Sequence, residues 1–157
     1  MINKDNLLEK LLQEEWNLLH ASMETLLRSV IKCSEIGTKA DYSFEEHESF
    51  DSLTSKFNRT SDLFTQKVIR TIWMLLHEPF VPFIDMMNMC EKTGIILSAN
   101  QLISIRDMRN QISHEYIPEA LLELVPEVID MTQQLIGNIN YCSRFIKGRN
   151  WIVEKEK

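Results

Sequence analysis

Residues 5–36 constrain the fold more than any other stretch. Leu7, Leu8, Leu11, Leu12, Leu18, Leu19, Leu26, Leu27 and Val30 recur at three- and four-residue spacings. That period lays one apolar stripe along a helix from Asp5 to about Ile36. Glu9, Lys10, Gln13, Glu14 and Arg28 lie largely off the stripe. The rest of the chain is rich in Leu, Met, Glu, Lys and Gln, and only 4 Gly and 4 Pro occur in 157 residues, which disfavours a turn-rich β fold. The expectation is an all-α fold: an antiparallel bundle of about five helices in one domain over 1–148, with 149–157 as a C-terminal tail.

Gly37 is a natural stop for the first helix. From Thr38 to Ser49 the periodicity is lost, and Asp41, Ser43, Glu45, Glu46, His47 and Glu48 read as an acidic loop: a solvated connector, or an acidic recognition strip. The second helix is expected over Asp51–Leu76, with Phe50, Leu53, Phe57, Phe64, Val68, Ile72 and Leu75 at helical spacing. Its counter-face is unusually polar, with Arg59, Thr60, Ser61, Asp62, Gln66 and Arg70. Pro79 and Pro82 force a break. A short helix follows over Phe83–Thr93, closed by Gly94, and its Met86, Met87 and Met89 suit gap-filling core. Ser98 and Gln101 have capping-box spacing at the head of the fourth helix, whose buried stripe is Leu102, Ile105, Met108 and Ile112. Pro118 suits the first turn of a new helix, and Pro126 implies a kink or restart. The last helix runs through Val128, Met131, Leu135, Ile139 and Phe145 to Lys147. Gly148 ends it, and Glu154–Lys157 is expected to fray.

The chain is 44% hydrophobic and 25% charged, which excludes wholesale disorder. No apolar run approaches the roughly 18 residues a membrane span needs. The start, Met1 to Asn6, lacks a basic segment followed by an apolar core, so no signal peptide is visible and a cytoplasmic protein is expected. Cys33, Cys90 and Cys142 are too scattered for a disulfide framework and read as reduced core residues. The net charge of −6 argues against a broad basic surface, but leaves room for a small basic site that acts locally on RNA. There is no phosphate-cradling glycine loop, no paired-cysteine motif and no nucleophile elbow. None of the 4 histidines lies three to five residues from another. No metal site and no cofactor is expected. His20 and His77 read as hydrogen-bonded bundle residues, and His47 as solvated.

One segment departs from ordinary bundle chemistry: Arg106-Asp107-Met108-Arg109-Asn110-Gln111-Ile112-Ser113-His114-Glu115-Tyr116. Asn110 and His114 are four apart and share a face, Arg109 and Ser113 share the adjacent strip, and Arg106 lies one turn earlier. A guanidinium, an amide and an imidazole within reach of one ligand are the equipment for phosphodiester cleavage. An imidazole can move protons at neutral pH, and an arginine can hold a phosphate and offset charge building in the transition state. On one helix, however, these groups are half an enzyme. In-line attack by a ribose 2′-hydroxyl needs a proton removed on one side and donated on the other, which two copies of the helix across a twofold axis would supply. The same residues also suit a salt-bridged helix end, with Arg109 pairing Glu115 or a neighbouring helix.

The run Arg109-Asn110-Gln111-Ile112-Ser113-His114-Glu115-Tyr116 resembles the Arg-x4-His-x-Tyr signature of HEPN domains, in particular the HepT-like toxin ribonucleases. The matched motif is eight residues long, and the order of helices around it agrees over most of the chain. The resemblance implies a homodimer with motif helices facing each other, cutting RNA without a metal through Arg109 and His114 of both protomers, with Asn110 assisting. It also implies a minimal nucleotidyltransferase antitoxin that adds AMP to Tyr116, setting phosphate charge beside His114. Arg106, Ser113, Arg59 and Asp62 are candidate walls or phosphate contacts of the same cleft. The expected substrate is RNA, with neither DNA nor membrane as partner. The segment Thr38–Ser49 and the acidic net charge are not features the motif implies. Two alternatives stay open: a non-catalytic nucleotide- or partner-binding subunit of a two-protein nucleotidyltransferase system, and a plain helical interaction protein.

Overall fold

A computed structural model describes residues 3–153. The described residues form helices and connectors with no strand: α1 (Lys4–Ile36), α2 (Phe44–Asp62), a π-helical segment (Leu63–Val68), α3 (Ile69–Leu75), α4 (Phe83–Thr93), α5 (Ala99–Ser113) and α6 (Pro118–Gly148). The backbone stays in the right-handed helical region at Asp62, Leu63, Val68 and Ile69, so α2, the π-helical segment and α3 run on as one rod. That rod packs along α1, while α5 and α6 pack on each other and on α2.

The buried arc of α1 is narrower than the leucine pattern suggests. Leu12, Trp16, Leu19, Met23, Leu26, Val30 and Cys33 point inward, whereas Leu7, Leu11, Leu18 and Leu27 are exposed. Those four flank the arc on either side, at the edges of a stripe broader than the partner helices cover. The core continues through Phe57, Phe64, Val68 and Ile72 of the rod to Leu102, Ile105 and Met108 of α5 and Val128, Leu135, Ile139 and Cys142 of α6. Cys33, Cys90 and Cys142 are free and buried, as expected of small core residues. Burial pushes the Cys90 thiol up to about 12 and raises Cys33 and Cys142 as well, so all three stay protonated.

Three expectations about helix ends are corrected. The acidic loop is short, because α2 already begins at Phe44. Ser43 Oγ accepts from the Glu46 N–H at 3.2 Å, and Glu46 Oε1 accepts from the Ser43 N–H at 2.9 Å. This is a complete capping box, and Glu45 and Glu46 favour the positive end of the helix dipole. Pro126 neither ends nor restarts α6, which is continuous from Pro118 to Gly148. One missing N–H in a 31-residue helix is a local loss that the packing of Val125 and Val128 outweighs. The head of α5 is only half a capping box: Gln101 N–H donates to Ser98 Oγ, but the Gln101 side chain turns to Asn138. Buried Asn138 takes over, accepting from the Leu97 and Ser98 N–H groups at 3.0 and 3.1 Å. The tail also packs back over its described part. Ile152 is buried, Trp151 meets Phe145 edge-on, and Val153 N–H donates to Gln13. The expected fraying of Glu154–Lys157 lies outside the described residues.

His20 and His77 are exposed rather than set in the bundle. His20 stacks against Trp16, and His77 reaches Asp5 Oδ2 at 3.1 Å. No described helix is long and apolar enough to cross a membrane.

Candidate active site

The motif helix α5 is anchored along its length. Asn138 and Ser98 hold its head, and Glu91 accepts from the Ala99 N–H at 3.0 Å. Leu102, Ile105, Met108 and Ile112 fix its rotation against the core. Near its C-terminal end Asn58 of α2 donates to Ser113 Oγ at 3.3 Å and approaches the Arg109 carbonyl, to which Ser113 Oγ itself donates at 3.0 Å. The polar face of α5 is thereby turned toward the rod.

Between them lies an open cleft of about 690 Å³. From the rod it is lined by Arg59, Asp62, Leu63, Gln66 and Lys67, and from α5 by Arg106, Arg109 and Asn110. Four cations face one carboxylate in a chain of net charge −6. The one carboxylate is committed. Arg109 Nε donates to Asp62 Oδ1 at 3.1 Å and Nη2 donates to Asp62 Oδ2 at 2.9 Å, a forked pair whose members are 35% and 40% exposed. The hydrogen bonds to Asp62 raise the Arg109 guanidinium above its ordinary range, so it is permanently charged. The fork also fixes its plane and leaves the remaining edge toward the cleft. Of the two pairings the sequence allowed for Arg109, the neighbouring helix is the one found. Glu115 instead accepts from the Ile117 N–H at 3.1 Å.

The Arg106 guanidinium carbon lies over the Phe83 ring, 4.2 Å from its centroid, and the Nε is buried without a hydrogen-bond partner. Arg59 and Lys67 are exposed and make no ion pair among the described residues. Ser113 stands apart from the cleft lining, its hydroxyl engaged by Asn58 and the Arg109 carbonyl. Among the described residues no three His, Cys, Asp or Glu side chains converge on a metal position.

His114 caps α5, its N–H donating to the Asn110 carbonyl at 3.1 Å, and its ring is exposed outside the cleft. Five residues along an α-helix turn through about 140°, so Arg109 and His114 of one chain cannot stand in one line. Tyr116 is 86% exposed and Ile117 59% exposed in the turn that follows. The structure therefore brings Arg59, Asp62, Arg106, Arg109 and Asn110 together and sets His114 and Tyr116 at the open end of the same helix.

Three lining residues are not among the site candidates the sequence offers, Leu63, Gln66 and Lys67. In an α-helix Lys67 would point about 140° away from Asp62. The π-helical segment bonds each N–H one residue further back, with Ile69 N–H on the Phe64 carbonyl, and this brings residues five apart toward one face. No family model matches the chain, and no curated protein or solved structure matches it either.

Proposed function

We propose that the chain is a metal-independent endoribonuclease of the HepT-like toxin kind, acting in the cytoplasm as a homodimer with one composite site. The observation that carries the reading is the cation-lined cleft on the motif helix of an acidic protein, with the His114 ring free at the end of that helix. In the reaction, the imidazole of one His114 takes the proton from a ribose 2′-hydroxyl. The 2′-oxygen attacks the adjacent phosphorus, the bond to the 5′-oxygen breaks, and the second His114 gives that oxygen its proton. The products are a 2′,3′-cyclic phosphate and a 5′-hydroxyl. Arg109 clamps the phosphate and offsets the charge that builds on its oxygens, and Asn110 orients it. Asp62 acts through Arg109 as a positioning residue. The 140° between Arg109 and His114 in one chain supports a site completed by a second copy.

The exposed Tyr116 hydroxyl suits modification by a nucleotidyltransferase antitoxin. An AMP there would bring phosphate charge beside His114 and compete for Arg109. The position of His114 outside the cleft of a single chain also favours a second reading, a subunit that binds nucleotide or its partner without cleaving.

Cleavage of bulk RNA in EDTA by the purified chain and its His114→Ala variant separates the two. The expected loss in the variant is about 10²–10⁴-fold, with cyclic phosphate ends on the wild-type products and an unchanged melting temperature. Full cleavage by His114→Ala overturns the ribonuclease mechanism, and no cleavage by an unmodified folded dimer supports the binding subunit.

A further inference from the structure

The chemistry proposed above uses Arg109 and Asn110, and the other cations of the cleft are left with no assigned work. We propose that these, Arg59 and Lys67 on the rod and Arg106 on α5, form a second phosphate subsite that takes non-scissile phosphates of single-stranded RNA. The subsite rests on the ribonuclease reading only for the identity of the strand; its own argument is geometric and electrostatic.

Of the four cations lining the cleft, Arg109 alone makes a carboxylate ion pair among the described residues. Arg59 and Lys67 are exposed and make no ion pair among the described residues, and although Lys67 also acts on the buried Glu15 carboxyl, both present charge to a ligand. Like charges brought to one cleft repel one another, and an anion between them removes that cost. Arg106 adds an independent sign. Its guanidinium sits over Phe83 and its buried Nε donor has no partner, a costly state that an acceptor oxygen or a water entering the cleft relieves. The π-helical segment turns Lys67 further toward the face of Asp62 than an α-helix would. Arg59 and Lys67 are eight residues apart, about two helical turns, so the pair follows an extended backbone rather than a single compact anion. The gap between two helices admits one strand, and guanidinium planes such as that of Arg106 are a usual rest for splayed bases of single-stranded RNA. A rigid duplex needs a broad basic surface, which an acidic chain with one narrow basic cleft does not offer.

The test is binding of a short fluorescent single-stranded RNA in EDTA, with His114→Ala as the common background so that cleavage does not consume the probe. Anisotropy is followed between about 50 and 200 mM salt. Each lost phosphate contact flattens the log-log salt dependence by about 0.7 for single strands. Adding Arg59→Gln and Lys67→Gln together is therefore expected to flatten it by about 1.4. Across that salt range the background protein then loses about sevenfold more affinity than the added variant does. Arg28→Gln, on an exposed stretch of α1, is the control and leaves the slope unchanged. An unchanged slope in the Arg59/Lys67 variant overturns the subsite, as does tighter binding of the same sequence as a duplex. Inorganic phosphate that binds as tightly as the strand also overturns it, since a backbone track gains from chain length. Failure of the ribonuclease reading shows elsewhere, as wild-type protein that binds with the expected slope and does not cleave.

Discussion

Asp62 and Lys67 are five residues apart, and so are Arg109 and His114, yet the first pair lines one cleft and the second pair does not. The difference is the helix type between them. Across Leu63–Val68 the wider π-helical turn brings the fifth residue back toward the starting face, whereas along α5 the ordinary turn carries it about 140° away. The rod thus gathers its polar groups into one wall within a single chain. The motif helix spreads its groups over two directions, one toward the rod and one toward whatever meets the exposed end of α5. One region is a finished surface, and the other is half of one.

The comparison can be broken at the contact that joins the two regions. Asp62→Asn removes the forked acceptor and leaves the cleft more positive. Turnover of RNA is expected to fall about ten- to a hundredfold because Arg109 loses its fixed orientation. Affinity for RNA rises in the same variant, and stability moves by no more than about 1 kcal/mol because the pair is half exposed. Steady-state kinetics, binding and thermal melting together read this split. Equal losses in binding and turnover would mean that Asp62 contacts the substrate side directly.

A smaller effect is expected where the rod begins. Ser43→Ala removes half of the capping box at the head of α2 and costs about 1 kcal/mol, or about 2–4 °C in melting temperature, with cleavage unchanged. No change in melting temperature would return residues 44–49 to the status of a loop.

The smallest concerns Glu15 of α1, buried beneath the rod, where it accepts a hydrogen bond from Thr71 and feels the charge of Lys67. Burial raises its carboxyl above the ordinary 4.5, with Thr71 and Lys67 pulling the other way. A raised folded-state value means that the carboxyl favours folding below 4.5 and loses that contribution as the pH climbs through the raised value. Glu15→Gln is therefore expected to melt higher than wild type at neutral pH, with the gain shrinking as the pH falls toward 4.5. A gain that grows on acidification would contradict the assignment.

The sequence made the helices legible because their apolar residues keep the α period, as along Phe57, Phe64 and Val68 or Leu102, Ile105 and Met108. It made Arg109, Asn110, Asp62, Arg59 and Arg106 legible as one cleft because polar residues are out of place on bundle helices. The π-helical segment was hidden. Leu63-Phe64-Thr65-Gln66-Lys67-Val68 is composed of residues any α-helix accepts, so nothing in its sequence marks the wider turn that brings Lys67 toward Asp62. The start of α2 was missed although its signal was present, a Ser followed three residues later by Glu. Leu7, Leu11, Leu18 and Leu27 share the apolar period and are nevertheless exposed, because period alone does not set how wide an arc the neighbours cover.

The central claim is that one site is shared by two chains, with the His114 of each carrying one of the two proton transfers. The direct measurement is RNA cleavage in EDTA by wild-type protein refolded with increasing fractions of His114→Ala protein so that mixed dimers form. A mixed dimer lacks one of the two imidazoles, so cleavage is expected to fall as the square of the wild-type fraction. A fall in simple proportion to the wild-type fraction, in a mixture that contains mixed dimers, would contradict the composite site.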